Sequence, residues 1–199
     1  MAATSIVLAS NNRGKLKELE TILTPYRLSV RPLADFSKES VEETGTTFHA
    51  NALLKARYAS GVANLPAIAD DSGIEVDALN GAPGVYSARY AGTGATDDAN
   101  NRKLLAALRD VPSQLRSARF RCVLAYVENA TSEPIFAEGV WEGRILDAPK
   151  GAGGFGYDPL FLPKNSLLSA GELSVEEKNL ISHRAQALRE LAARLLVKS

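Results

Sequence analysis

The sequence is short of most things that would mark a specialised class of protein. Cys122 is its one cysteine in 199 residues, which excludes an internal disulfide framework and a cysteine-rich zinc site. Its two histidines, His49 and His183, are too few for a multi-histidine metal centre. Net charge is missing as well, since lysine plus arginine and aspartate plus glutamate number 23 each. A protein built for duplex nucleic acid would carry a basic excess. Nucleic acid is therefore not an expected partner, although a local lysine cluster could still hold a small anion. No apolar run approaches the roughly 18 residues of a membrane span, so no membrane partner is expected. The first residues lack the basic region and long apolar stretch of a secretory signal. A cytoplasmic location follows as an expectation, and the sequon Asn129-Ala130-Thr131 is read as chance. There is no repeat and no low-complexity segment. With 45% hydrophobic and 23% charged residues, the chain has the composition of an ordinary soluble globular protein.

The hydrophobic pattern is that of a mixed α/β protein. Ile6-Val7-Leu8-Ala9 reads as a short buried strand. It is followed by a polar loop and a helix with Leu16, Leu19, Ile22 and Leu23 on one face, closed by Pro25. Residues 28–31 read as a second strand, so the chain opens as the β-loop-α-β unit of a parallel sheet. Residues 48–63 form a long helical stretch. Ala67-Ile68-Ala69 is a buried strand running into Asp70-Asp71-Ser72-Gly73, which is good turn chemistry. After it, residues 74–79 alternate as a strand up to a tight turn at Asn80-Gly81. Thr96 suits the N-cap of a helix over 97–108, with Asp97 and Asp98 in its first turn. Phe120, Cys122, Leu124 and Tyr126 alternate along a strand whose neighbour is 135–141. Ser174 and Glu177 spell a capping box, and Ala185, Leu188, Leu191, Ala192, Leu195 and Leu196 line a final helix. The expected architecture is α/β with a long bent sheet, in a single domain over residues 1–199. Two lobes are expected within it, one from both chain ends and a central one over roughly residues 118–146.

Four polar clusters interrupt these elements where α/β proteins bind ligands. Ser10-Asn11-Asn12-Arg13-Gly14-Lys15 leads from strand to helix and could cradle phosphate, or be a capped turn with an exposed lysine. It is not a P-loop, because Ala9 stands where the first glycine belongs and Leu16 where the metal-binding Ser/Thr belongs. Asp70-Asp71-Ser72-Gly73, with Glu42-Glu43 upstream, offers the one or two carboxylates that magnesium takes alongside phosphate oxygens; the alternative is an acidic turn. The run 151–159 contains G-x-G-x-x-G, but Tyr157-Asp158-Pro159 cannot open the long helix that dinucleotide binding requires. What remains is a glycine loop presenting Phe155 and Tyr157, suited to stacking on a flat ring, although an aromatic is more often core. Lys178 with Ser182-His183-Arg184 suits an anion or a carbonyl-rich base edge, or is surface charge. Together the four make the parts of a nucleotide hydrolase.

In these residues the chain resembles the inosine triphosphate pyrophosphatases, which act on deaminated purine nucleotides. The matching stretches are Ser10-Asn11-Asn12 with Lys15 and Glu18; Glu42-Glu43-Thr44-Gly45 with Asn51-Ala52 and Lys55-Ala56; Ala69-Asp70-Asp71-Ser72-Gly73; Gly81-Ala82-Pro83-Gly84 with Ser87-Ala88-Arg89-Tyr90; Gly154-Phe155-Gly156-Tyr157-Asp158-Pro159; and Glu177-Lys178 with Ser182-His183-Arg184. They are collinear from Ile6 to Leu188. The Maf-like nucleotide pyrophosphatases look like a related fold, but would not be expected to carry the Ser-His-Arg block. The chain departs from the pattern at Leu167-Leu168-Ser169, where family members often carry Gly-Lys-Thr.

The resemblance implies an elongated two-lobed α/β fold with a central nucleotide cleft, a homodimer, and a requirement for Mg2+. It implies hydrolysis of ITP, dITP and XTP between the α and β phosphates. Carried over residue by residue, Asp71 is the proton acceptor and a metal ligand, and Glu43 is the second carboxylate on the metal, with Asp70 in support. Ser10, Asn11, Asn12, Arg13, Gly14, Lys15, Lys55 and Ser72 hold the triphosphate. Phe155 stacks on the purine beside Gly156, with Tyr157 and Asp158 completing the wall. Lys178, His183 and Arg184 contact the base and the nearby phosphate. The alternatives are a pyrophosphatase for another modified nucleotide, and a nucleotide-sensing module without turnover.

Overall fold

The computed structural model describes residues 4–10, 19, 28–39 and 41–197. The opening apolar runs form β1 (Thr4–Leu8) and β2 (Leu28–Pro32), paired in parallel with Ile6 opposite Val30. The helix predicted between them lies outside the described residues except for Leu19, which is helical and fully buried. Residues 48–63 form α1 (Phe48–Ala63), as the pattern predicts. The Thr47 side chain caps its start by accepting from the Ala50 N–H, and Asn64 ends it in the left-handed conformation.

β3 (Ala67–Val76) departs from the sequence reading. The sequence reading puts Asp70-Asp71-Ser72-Gly73 at a strand end, with an acidic turn as the alternative, but the strand runs unbroken for 10 residues. Aspartates seed turns by bonding their own backbone. Here both carboxylates are buried and engaged by cationic side chains, Arg184 beside Asp70 and Lys55 beside Asp71. The tight turn expected at Asn80-Gly81 is present, after a single 3-10 turn at Asp77–Leu79. Asn80 and Gly81 adopt φ of 52° and 85°, and Glu75 bridges back to Pro83.

The remaining elements follow their local signals. α2 (Asp97–Ala107) is capped by Thr96, which accepts from the Ala99 N–H. β4 (Ser117–Val127) and β5 (Ile135–Ile145) flank a turn in which the Ser132 hydroxyl accepts from the Glu128 and Asn129 N–H groups. β6 (Phe161–Pro163) pairs antiparallel with β5. α3 (Val175–Ile181) opens on the Ser174–Glu177 capping box, and α4 (His183–Val197) closes the described chain. The sheet order is β2-β1-β3-β4-β5-β6.

The chain forms two compact units. Unit 1 comprises Met1–Asp71, Cys122–Gly139 and Arg184–Ser199; unit 2 comprises Ser72–Arg121 and Val140–His183. Each has its own core. Ile6, Leu8, Ile68, Cys122, Leu124, Leu188 and Leu191 pack together in unit 1. Ile74, Leu104, Phe120, Trp141, Ile145, Leu160 and Phe161 do so in unit 2. Along β4, Phe120 and Cys122 share one face of the strand yet serve different cores. Among the described residues no helix is long and apolar enough to cross a membrane.

Candidate active site

In unit 1 the site is built on α1 and β3. Asn51 and Lys55 are four residues apart and so share one face of α1. The Lys55 ammonium donates to Glu43 Oε1 at 2.5 Å and to Asp71 Oδ1 at 3.1 Å. Asn51 Nδ2 donates to Asp71 Oδ2 at 3.1 Å, while Asn51 Oδ1 accepts the Gly45 N–H at 2.8 Å. That second bond fixes the amide, since only its nitrogen can then face the carboxylate. Both oxygens of Asp71 are thereby held, and its rotamer is set. A Cβ at Gly45 would collide with the Asn51 side chain. Next along β3, Asp70 lies 3.5 Å from Arg184 Nε, and both side chains are almost wholly buried.

Burial pushes the Asp71 carboxyl above its usual range; Lys55 opposes the rise, and the neighbouring Glu43 charge adds to it. For Lys55, burial alone would push the ammonium down, but Asp71, Asp70 and Glu43 outweigh it and hold the pKa up. A buried carboxylate of raised pKa, held beside a charged lysine, is a suitable proton acceptor.

In unit 2 the glycine loop is organised around Asp158. Its Oδ2 accepts the Phe155 N–H at 2.8 Å and the Lys178 ammonium at 2.6 Å. The Lys178–Asp158 pair is buried, and the ammonium lies 4.8 Å from the centroid of the Phe155 ring. Gly154, at φ 74°, allows this closeness, because a Cβ there would strike the Asp158 carboxylate. Phe155 is half-buried, as a stacking platform requires, whereas Tyr157 is buried in the core. The Tyr157 hydroxyl donates to the Ser87 carbonyl at 2.8 Å, and burial raises its phenol well above the usual value. Gly156 adopts φ 63°. His183 lies parallel to Phe120 at 4.8 Å between ring centroids, with Trp141 at 6.3 Å.

The expected site residues thus fall into two groups. Glu43, Lys55, Asp70, Asp71 and Arg184 gather in unit 1, and Phe155, Gly156, Tyr157, Asp158, Lys178 and His183 belong to unit 2. Ser10 ends the first strand segment, and Ser72 continues β3 as the first residue of unit 2. Asn11, Asn12, Arg13, Gly14 and Lys15 lie outside the described residues. Asn51 had no role assigned from sequence, although its i, i+4 spacing to Lys55 was the available signal.

A divalent cation can be tested against these residues. Glu43 and Asp71 converge on a single positive charge, the Lys55 ammonium. Among the described residues no three His, Cys, Asp or Glu side chains gather to hold a metal. That donor set suits magnesium, which takes one or two carboxylates and completes its shell with water and phosphate oxygens. It does not suit zinc.

Comparison with known proteins agrees along nearly the whole chain. The Ham1 family model matches residues 6–194. A dITP/XTP pyrophosphatase of Thioalkalivibrio sulfidiphilus is 55% identical over 191 residues, covering 96% of this chain and 97% of the relative. That of Escherichia coli K12 is 51% identical over 187 residues, covering 94% and 95%. Among solved structures, a HAM1 protein from Coxiella burnetii superposes with a TM-score of 0.91 at 47% identity, covering 98% of this chain and 100% of that one. From its first strand to its last helix, this chain belongs to the Ham1 family.

Proposed function

We propose that this protein is a nucleoside-triphosphate pyrophosphatase that hydrolyses ITP, dITP and XTP to the monophosphate and pyrophosphate, with Mg2+ as its cofactor. The observation that carries this is the meeting of Glu43 and Asp71 on Lys55, with Asp71 held at both oxygens and its pKa raised by burial. The names of the relatives supply the substrate class.

Asp71 accepts the proton of the water that attacks the α phosphorus, the bond to the bridging oxygen breaks, and pyrophosphate leaves. Asn51 keeps the Asp71 carboxylate in one orientation throughout. Lys55 stabilises the ionised form of Asp71 and offers positive charge to the phosphates, which Ser10 and Ser72 also contact. Asn11, Asn12, Arg13, Gly14 and Lys15 complete the phosphate contacts. Glu43 and Asp71 would hold the magnesium ion, which when bound would supply positive charge to the triphosphate and its pyrophosphate leaving group.

Phe155 stacks on the purine, Tyr157 and Asp158 back it, and Lys178 and His183 offer donors to the carbonyl at position 6. Adenine carries an amino donor at that position, so donors in the site are left unpaired against it, a mismatch that can discriminate by about 10⁴-fold. Arg184, set against Asp70, supports the phosphate end. The reading extends to a cytoplasmic homodimer clearing deaminated nucleotides from the pool. A nucleotide sensor would have no use for a buried, oriented carboxylate of raised pKa.

The test is a panel of ITP, XTP, GTP, ATP and pyrimidine triphosphates with magnesium, assayed for pyrophosphate against orthophosphate. Strong pyrophosphate release from ITP and XTP with only a trace from ATP is expected. Comparable rates on ITP and ATP would overturn the substrate assignment, and orthophosphate as the product would overturn the cleavage site.

A further inference from the structure

We infer that Asp97 and Asn101 on α2 are positioning residues for base recognition, acting through the backbone of Gly156. Both polar backbone groups of this glycine are gripped from the same helix. Its N–H donates to Asp97 Oδ2 at 2.7 Å, and its carbonyl accepts from Asn101 Nδ2 at 2.9 Å. Asp97 and Asn101 are four residues apart, so they project from one side of α2, one as acceptor and one as donor. With the Phe155 N–H held by the Asp158 carboxylate and the Phe155 carbonyl accepting the Asp158 N–H, four consecutive polar groups of the loop backbone are fixed on either side of the Phe155 ring.

The loop needs such a grip. Gly151, Gly153, Gly154 and Gly156 fall within six residues, and glycine loses more conformational freedom on ordering than any other residue. Gly156 sits at φ 63° with open space where a Cβ would be. Glycine is therefore there for its conformation, and tethers rather than packing must select that conformation. The helix is itself fastened nearby: Asn100 Oδ1 accepts from the Ala91 N–H and Asn100 Nδ2 donates to the Ala88 carbonyl. Asn101 Oδ1, in contrast, is buried with no hydrogen-bond partner among the described residues. A side chain serving stability alone would not leave a buried acceptor unmet; the amide is spent on the Gly156 carbonyl.

The inference rests on Phe155 being the base platform. If only a fraction of molecules hold the platform in its binding geometry, apparent affinity falls by that fraction while bound substrate reacts normally. Asp97→Ala and Asn101→Ala should each raise KM for ITP by about three- to tenfold, the worth of one hydrogen bond, with kcat within about twofold of wild type. Asp97→Asn keeps an acceptor for the Gly156 N–H and should hold KM near wild type. In a Phe155→Ala background the Asp97→Ala increment should vanish. Thr96→Ala, which removes the cap of α2 without touching Gly156, should lower Tm and leave KM unchanged. An unaltered KM in the single variants, the same increment without Phe155, or an equal KM rise in Thr96→Ala would each overturn the inference alone. A wild-type KM in Phe155→Ala by itself would overturn the platform reading, and the inference with it.

Discussion

The two units carry buried charge in opposite ways. In unit 1, counting Glu43, Asp71 and Lys55 alone, two carboxylates share one ammonium. In unit 2, Lys178 and Asp158 match one to one, and the pair is closed over by the loop that it organises. In the unbalanced cluster burial raises the Asp71 pKa and the Glu43 charge adds to the rise against Lys55, and there is room for another positive charge. A balanced pair serves geometry, and its ammonium holds an acid and faces an aromatic ring. On the function proposed above, the difference separates two tasks, proton transfer in one unit and recognition in the other.

Substitutions can break that separation or sharpen it. Asp71→Asn keeps the shape of the unit 1 cluster and removes its base. The expected loss in kcat is about 10²–10⁴-fold, with nucleotide affinity largely retained, and more than a tenth of the wild-type rate would remove Asp71 from its role. Lys178→Met removes one member of a buried pair, for which about 3–5 kcal/mol of stability is the expected loss. Urea unfolding measures it, and a loss below about 1 kcal/mol, the worth of an exposed pair, would mean the pair is not closed.

Phe155→Ala should raise KM for every purine substrate alike by the worth of base stacking, about 1–3 kcal/mol. A variant that merely melts earlier would make Phe155 a core residue. His183→Ala should shrink the ITP-to-ATP ratio of kcat/KM. Arg184→Ala, being set against Asp70, should lower both rates by one factor; a change in that ratio would give Arg184 to the base instead.

The smallest effect is a titration in the metal-free protein, followed by NMR at the Asp71 carboxyl. Glu43→Gln removes a charge that raises the Asp71 pKa and should move it down. Lys55→Met removes one that lowers it and should move it up. The sign for stability follows from the raised value. Between the unfolded and folded pKa the folded state holds the extra proton, so the Asp71 contribution is favourable at low pH and is lost as pH rises through the folded pKa. Movement of the pKa in one direction for both variants would dissolve the cluster as described.

Local chemistry was legible in the sequence. The Thr96 cap, the Ser174–Glu177 box and the Asn80-Gly81 turn each depend on residues within a few positions. The same holds for the span of α1, though not for its Asn51–Lys55 face. The unbroken course of β3 was not legible, because what keeps Asp70-Asp71 extended is supplied by Lys55 and by Arg184, distant in the chain. Family resemblance named Arg184 a site residue, but only the fold sets it beside Asp70 and apart in unit from His183. The glycine loop was legible as a loop; that Asp97 and Asn101 hold it was not, since nothing local ties a helix to a backbone more than fifty residues on.

The division of the chain also sets an order of assembly. Unit 2 is interrupted once, by the short excursion of residues 122–139, whereas unit 1 must wait for two long ones, 72–121 and 140–183. Its core takes Leu188 and Leu191 from α4, near the far end of the sequence from β1. Closing longer loops costs more entropy and slows the contacts that need them. During refolding of the whole chain, amides of residues 140–163 should therefore gain protection in pulsed hydrogen exchange before those of β1, and the reverse order would refute the scheme. On the proposed function, the half that recognises the base would then stand ready before the half that transfers the proton exists.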